Sequence, residues 1–235
     1  RYGIGQCSTD YYGYFVGGTA VHTGPPQKRV CTIDRIDFST ETVDVPPVNS
    51  QSTQARGSGN TSGGGIFDSN YGYFGGGSNT PTTTRYCTMD RLEFATETVA
   101  LPPTGNQLTQ ARASIGETKV ENYGYFAGGH GPPTGIPPGG IGGHVTRLEF
   151  LNETMSVISP NLPLQRGYAA GTYDLNYGYW IGGLAPPVGG PGSTCTIDRI
   201  DFSTDTLSST PQIGLTEKRN GAGGSGGSNG GSRSG

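Results

Sequence analysis

Apolar residues in this chain come in short aromatic runs set between polar and glycine-rich stretches, and the runs return. Tyr12-Gly13-Tyr14-Phe15 recurs as Tyr71-Gly72-Tyr73-Phe74, as Tyr123-Gly124-Tyr125-Phe126 and as Tyr177-Gly178-Tyr179-Trp180. Alternate residues of a strand face opposite sides of its sheet, and these runs are apolar on both sides. That predicts strands sandwiched between neighbouring sheets. Each run is followed by a glycine pair (Gly17-Gly18, Gly76-Gly77, Gly128-Gly129, Gly182-Gly183), which relieves crowding or allows positive φ.

A second block, Asp34-Arg35-Ile36-Asp37-Phe38, returns at 90–94, 146–150 and 198–202. It predicts a third strand, running in the first copy from Cys31 to Phe38. A polar turn follows, as in Ser39-Thr40-Glu41-Thr42 and Ala95-Thr96-Glu97-Thr98. An outer strand restarts at Val43, Val99, Met155 or Leu207, and in two copies it soon meets a proline pair, Pro46-Pro47 and Pro102-Pro103. Proline suits an edge strand and discourages pairing with strangers. An arginine opens each unit: Arg1, Arg56, Arg112 and Arg166, with Arg219 opening a fifth. The small residues after it (Tyr2-Gly3-Ile4-Gly5, Gly57-Ser58-Gly59, Ala113-Ser114-Ile115-Gly116, Gly167-Tyr168-Ala169-Ala170-Gly171) predict an innermost strand, where backbones approach closely.

A repeat of about fifty residues with strand content means a propeller or a stacked array. The expected fold is all-β: a four-bladed propeller with four-stranded antiparallel blades at about 1–55, 56–111, 112–165 and 166–218, then an extended Gly/Ser-rich tail at 219–235. Whether four blades close on themselves or form an arc completed by a partner is left open by the repeats. The order of the glycine pair, a loop, Asp-Arg-Ile-Asp-Phe-Ser-Thr-Glu-Thr-Val, Pro-Pro and Arg resembles the kelch repeat, although kelch blades usually carry Trp where Val43, Val99, Met155 and Leu207 stand. In wording it is similar to kelch-like repeats of structural proteins of marine bacterial viruses and of bacterial surface proteins. The resemblance covers roughly residues 1 to 218.

Composition adds limits. There are 43 Gly and 17 Pro, which could mean disorder, but here they recur at fixed repeat positions, so a turn-rich fold is the better reading. A formal net charge of −3 gives no electrostatic reason to expect nucleic acid. No apolar run approaches a membrane span. Cys31, Cys87 and Cys195 share one repeat position, where the third copy has Gly143. Equivalent sites on different blades lie beyond disulfide reach, which favours free thiols, Cys7 included. A bridge involving Cys7 is the alternative.

The repeated charges are the strongest candidate constellation. Arg35, Arg91, Arg147 and Arg199 recur on the third strand. Asp37, Glu93, Glu149 and Asp201 sit two residues on, hence on the same face. A fourfold arrangement predicts a structural ladder of Arg–carboxylate pairs between adjacent blades, since guanidinium binds carboxylate through a planar fork. His22, His130 and His144 show no metal-ligand spacing, and no cofactor is expected. No nucleophile elbow and no phosphate loop occurs, so an enzyme is not expected. Asn60 and Asn152 fit glycosylation acceptors, which matter only in a secretory host.

The tail reads as a flexible linker, yet Arg219-Asn220-Gly221-Ala222-Gly223 imitates the start of a repeat. It is therefore expected to make an assembly contact, docking on a neighbouring copy by strand addition or backbone contacts. The expected function is structural and non-enzymatic: a subunit of an extracellular filament or virion fibre, with copies of itself as partners. The alternative is a propeller module that binds a glycan or a cell-surface protein at one loop face.

Overall fold

The computed structural model describes residues 3–20, 28–46, 51–55, 64–78, 84–102, 107–131, 140–186 and 192–221. These form an all-β, four-bladed β-propeller, and no helix among them is long and apolar enough to cross a membrane. Blade I holds β1 (Gly5–Ser8), β2 (Tyr12–Val16), a short β3 (Thr19–Ala20) and β4 (Lys28–Arg29) pair, β5 (Ile33–Asp37) and β6 (Thr42–Asp44). Blade II holds β7 (Gly64–Phe67), β8 (Tyr71–Gly75), β9 (Met89–Glu93) and β10 (Thr98–Ala100). Blade III holds β11 (Gly116–Lys119), β12 (Tyr123–Ala127), β13 (Val145–Glu149) and β14 (Thr154–Ile158). Blade IV holds β15 (Ala170–Tyr173), β16 (Tyr177–Ile181), a short β17 (Leu184–Ala185), β18 (Gly192–Asp201) and the long β19 (Thr206–Arg219).

Within each blade the main strands pair in chain order and antiparallel, from the innermost strand outward. The register is the same in each: Tyr14 lies opposite Arg35, Tyr73 opposite Arg91, Tyr125 opposite Arg147 and Tyr179 opposite Arg199. The expected strand order therefore holds, with one correction. The small-residue segments after each Arg mostly lead into the innermost strand and supply only its first residues, Gly5, Gly116 and Ala170-Gly171. They bend through positive φ at Gly3, Ser114, Tyr168 and Gly221, a backbone state incompatible with a regular ladder. Gly57-Ser58-Gly59 lies outside the described residues. The close approach expected of this region is real and falls where the strand itself runs. A Cβ on Gly65 would sit 2.1 Å from the Gln6 carbonyl oxygen, and one on Gly171 1.4 Å from that of Glu117.

Among the described residues three hydrophobic cores hold the molecule, and each lies between two consecutive blades. Cys7, Tyr14, Val16 and Ile33 of blade I meet Phe74 and Leu92 of blade II. Ile66, Tyr73 and Met89 of blade II meet Phe126, Leu148 and Phe150 of blade III. Tyr125, Ala127 and Val145 of blade III meet Trp180 and Ile200 of blade IV. A blade alone is one thin sheet apolar on both faces, so its neighbours supply its core. The four cysteines are unbridged. Burial pushes the Cys7 thiol well above its ordinary pKa, as fits a small apolar core residue. Cys31 and Cys87 donate to the side-chain carbonyls of Gln51 and Gln107, at 3.2 Å and 2.9 Å.

Candidate functional site: the joint between blades

The joint is built from seven repeated positions. On the side of a blade that faces its successor, the first Tyr of the aromatic strand lies under the strand-three Arg. The Arg35 guanidinium carbon is 4.6 Å from the Tyr12 ring centre, and the same contact is 4.4 Å for Arg91 on Tyr71, 4.6 Å for Arg147 on Tyr123 and 4.4 Å for Arg199 on Tyr177. This cation–π contact holds the guanidinium so that, in Arg35, Arg91 and Arg147, one terminal nitrogen reaches the next blade, while Arg35 also donates to Asp44 of its own blade.

The next blade answers with a carboxylate and a phenyl ring. Arg35 donates to Glu97 at 2.6 Å, Arg91 to Glu153 at 2.9 Å, and Arg147 to Asp205. The second Tyr of the strand donates its hydroxyl to the same carboxylate: Tyr14 to Glu97 and Tyr73 to Glu153 at 3.0 Å, and Tyr125 to Asp205 at 2.9 Å. Desolvation first, and the carboxylate bond second or later, hold these phenols well above the ordinary tyrosine pKa, so they stay protonated donors. Tyr14 stacks on Phe94, Tyr73 on Phe150 and Tyr125 on Phe202, with ring centres 5.5, 5.6 and 5.4 Å apart. Finally, a side chain of the innermost strand presses on a glycine of the next aromatic strand. Added Cβ atoms at Gly72, Gly124 and Gly178 would meet Cys7 at 2.6 Å, Ile66 at 1.9 Å and Thr118 at 2.6 Å.

The expected ladder between adjacent blades thus exists for Arg35, Arg91 and Arg147, but its carboxylates are corrected. Asp37, Glu93, Glu149 and Asp201 do not cross the gap. They accept from their own turns: Asp37 from Ser39, Glu93 from Thr96, Glu149 from Asn152 and Asp201 from Ser203. Those turn bonds hold the carboxyls of Asp37 and Asp201 below the usual range. The crossing carboxylate is the third residue of the turn. Glu41, Glu97, Glu153 and Asp205 all have φ between 54° and 56°. Left-handed backbone is uncommon for residues other than Gly, Asn and Asp, and here it coincides with the residue that reaches the next blade. The signal was in the sequence, as an acidic residue at the third turn position of every copy.

The repeat-opening arginines form a second device. Arg112 is buried and donates to the carbonyls of Gly128, His144 and Phe126 and to the Thr146 hydroxyl. Arg166 donates to the Gly182 and Thr196 carbonyls and pairs with Asp198 at 2.7 Å, both side chains fully buried. Each guanidinium therefore braces its own blade. Each backbone carbonyl faces backward, accepting from the second glycine of the preceding pair: Gly77 to Arg112, Gly129 to Arg166 and Gly183 to Arg219. Both glycines of every pair have positive φ, and an added Cβ on Gly128 would lie 2.1 Å from the Arg166 carbonyl oxygen.

The start of the tail obeys this rule on its own chain. Arg219 closes β19, its carbonyl takes the Gly183 amide, and the Gly221 amide reaches the Tyr168 carbonyl at 3.1 Å, as the Tyr168 amide reaches Ser114. Asn220 donates to Ser193. These three residues sit as the first residues of a further repeat would. The Arg219 side chain, however, is half-exposed, with Glu217 at 4.0 Å as its ion partner. Ala222 and Gly223 lie outside the described residues.

The other candidates are placed simply. Asn152 is exposed in its turn and bonded to Glu149 and Thr154. Asn60 and His22 lie outside the described residues. Among the described residues no three His, Cys, Asp or Glu side chains are grouped to hold a metal ion.

Among the described residues the fourth joint is not formed. Arg199 is held by Tyr177 but has no carboxylate partner there, and the Tyr179 hydroxyl turns to Asp174 of its own blade at 3.3 Å. On blade I, Phe38, Glu41 and Val43 are exposed. Phe15 is 36% exposed, whereas its equivalents Phe74, Phe126 and Trp180 are at most 2%. The atoms nearest an added Cβ on Gly13 are those of Ile36 and Phe38 of its own blade. No known protein family matches the chain, and no curated protein is similar to it.

Proposed function

We propose that the chain is a non-enzymatic structural protein, a unit of an extracellular filament or virion fibre that assembles with copies of itself. The observation that supports this reading is the use made of its repeated chemistry. At three successive joints the recurring arginines, tyrosines and turn carboxylates hold one blade to the next. The blades are read as kelch-type, on the glycine pair followed by the Asp-Arg-Ile-Asp-Phe strand. The association with viral and bacterial surface proteins rests on the wording of that repeat.

Electron microscopy of the intact protein, and of a form ending at residue 218, tests the reading. Polymers from the intact chain support it. Loss of polymers on shortening would add that the segment from Arg219 to the carboxyl end takes part. Monodisperse single particles from both would overturn it and favour the rival reading, a module that binds a glycan or protein at a loop face.

A further inference from the structure

Resting on that reading, we propose that the polymer is made by one specific joint: the outer face of blade IV receives blade I of a second copy. The two faces are halves of the contact already formed three times inside the chain. Blade IV presents Tyr177, Tyr179 and Arg199, in the positions of Tyr71, Tyr73 and Arg91 in the second joint. Tyr179 is partly exposed where Tyr14, Tyr73 and Tyr125 are buried. Arg199 keeps its cation–π seat, which aims it outward like the three arginines that cross a joint. Blade I presents the answering set. Glu41 has the same left-handed backbone as Glu97, Glu153 and Asp205. Phe38 stands where Phe94, Phe150 and Phe202 stack on tyrosine, and is 48% exposed.

Charge selects the pairing. Among the described residues Arg199 has no carboxylate at ion-pair distance, its near charge being Asp201 of its own turn, and Glu41 has no guanidinium at that distance, so blade IV on blade I brings opposite charges together. Blade I on blade I would oppose Glu41 with Glu41. Shape agrees. Thr172 of β15 occupies the position of Cys7, Ile66 and Thr118, each of which presses on a glycine, and Gly13 is the matching glycine of blade I. The slot for an incoming repeat's first residues is already filled by Arg219, Asn220 and Gly221. The second copy need therefore supply only its blade I from β1 onward. A head-to-tail contact of this kind joins two different surfaces and propagates along a line unless the rotation closes it.

Charge reversal on the full chain tests the joint. The variants are Glu41→Arg, Arg199→Glu and the double Glu41→Arg/Arg199→Glu, each taken through sedimentation over a wide concentration range. Both residues lie outside the three internal cores, and unchanged circular dichroism checks that each variant folds. The unaltered chain is expected to associate. Each single reversal is expected to weaken association by about tenfold or more, as for a like-charge contact, and the double to restore it. Association insensitive to both single reversals, or a double that fails to restore it, overturns this joint and leaves the structural reading standing. A unit that stays single at every concentration overturns both. If that single unit loses thermal stability in each single variant and regains it in the double, the ring closes on itself and no second copy is received.

Discussion

The joint between blades II and III and the two end faces are made of equivalent residues, yet one is a core and the other a surface. Tyr73 is fully buried, stacked on Phe150 and bonded to Glu153. Tyr179 has the equivalent neighbours on its own blade and, among the described residues, no ring across the gap. The difference teaches that this repeat does not own its stability. A blade contributes half of each interface, and the value of any side chain depends on whether the next blade is there.

Pairs of substitutions break that comparison most directly. Tyr73→Ala removes a fully buried ring and is expected to cost about 4 kcal/mol, whereas Tyr179→Ala in the unassociated unit should cost less than about 1 kcal/mol. Equal losses in urea unfolding would mean that the end face is covered after all. Next comes crowding at the axis. Gly171→Ala forces a Cβ against the Glu117 carbonyl and is expected to cost about 3 kcal/mol. Gly13→Ala first meets the side chains of Ile36 and Phe38 rather than backbone and should cost less.

An intermediate effect comes from Glu117. Burial pushes its carboxyl up to about 8, partly opposed by the Gly65 amide, which donates to it at 3.3 Å. Because the folded state holds this proton more tightly than the unfolded chain, stability is full below the unfolded carboxyl pKa. It declines as pH rises from about 4.5 toward 8. Glu117→Gln is expected to flatten that decline and to be the more stable form at pH 9 by about 2 kcal/mol. The check is thermal unfolding of both proteins across the range.

The smallest effect has opposite signs at the two places. Glu41→Gly relieves left-handed backbone at an exposed turn and is expected to stabilise the single unit by about 0.5 kcal/mol. Glu153→Gly relieves the same backbone but strands Arg91 and the Tyr73 hydroxyl, for a net loss of about 2 kcal/mol. Urea midpoints that move in the same direction would sink the assignment of Glu153 as the crossing carboxylate.

Much of the architecture is legible in the residues. The aromatic runs, the glycine pairs and the Asp-Arg-Ile-Asp-Phe block place the strands and their order in every blade. The ladder is only half legible. Arg35 is plain, but choosing Glu97 over Glu93 requires the left-handed turn, and Glu gives no hint of that conformation as Gly would. Small residues place the inner strand too early, because they signal close approach without saying whether the chain there is straight or bent. The open fourth joint is beyond reach for a different reason: sequence symmetry makes all four joints look alike, and only exposure at Phe15, Phe38 and Tyr179 separates the fourth from the others.

The crossing carboxylate also orders events in time. Tyr14 and Arg35 wait for Glu97, Tyr73 and Arg91 for Glu153, and Tyr125 and Arg147 for Asp205. As the chain emerges from the ribosome amino end first, no sheet can be finished by the residues already outside. Each stays open to a wrong partner until the following turn appears, and in crowded synthesis that waiting interval is where misassembly between nascent chains would begin.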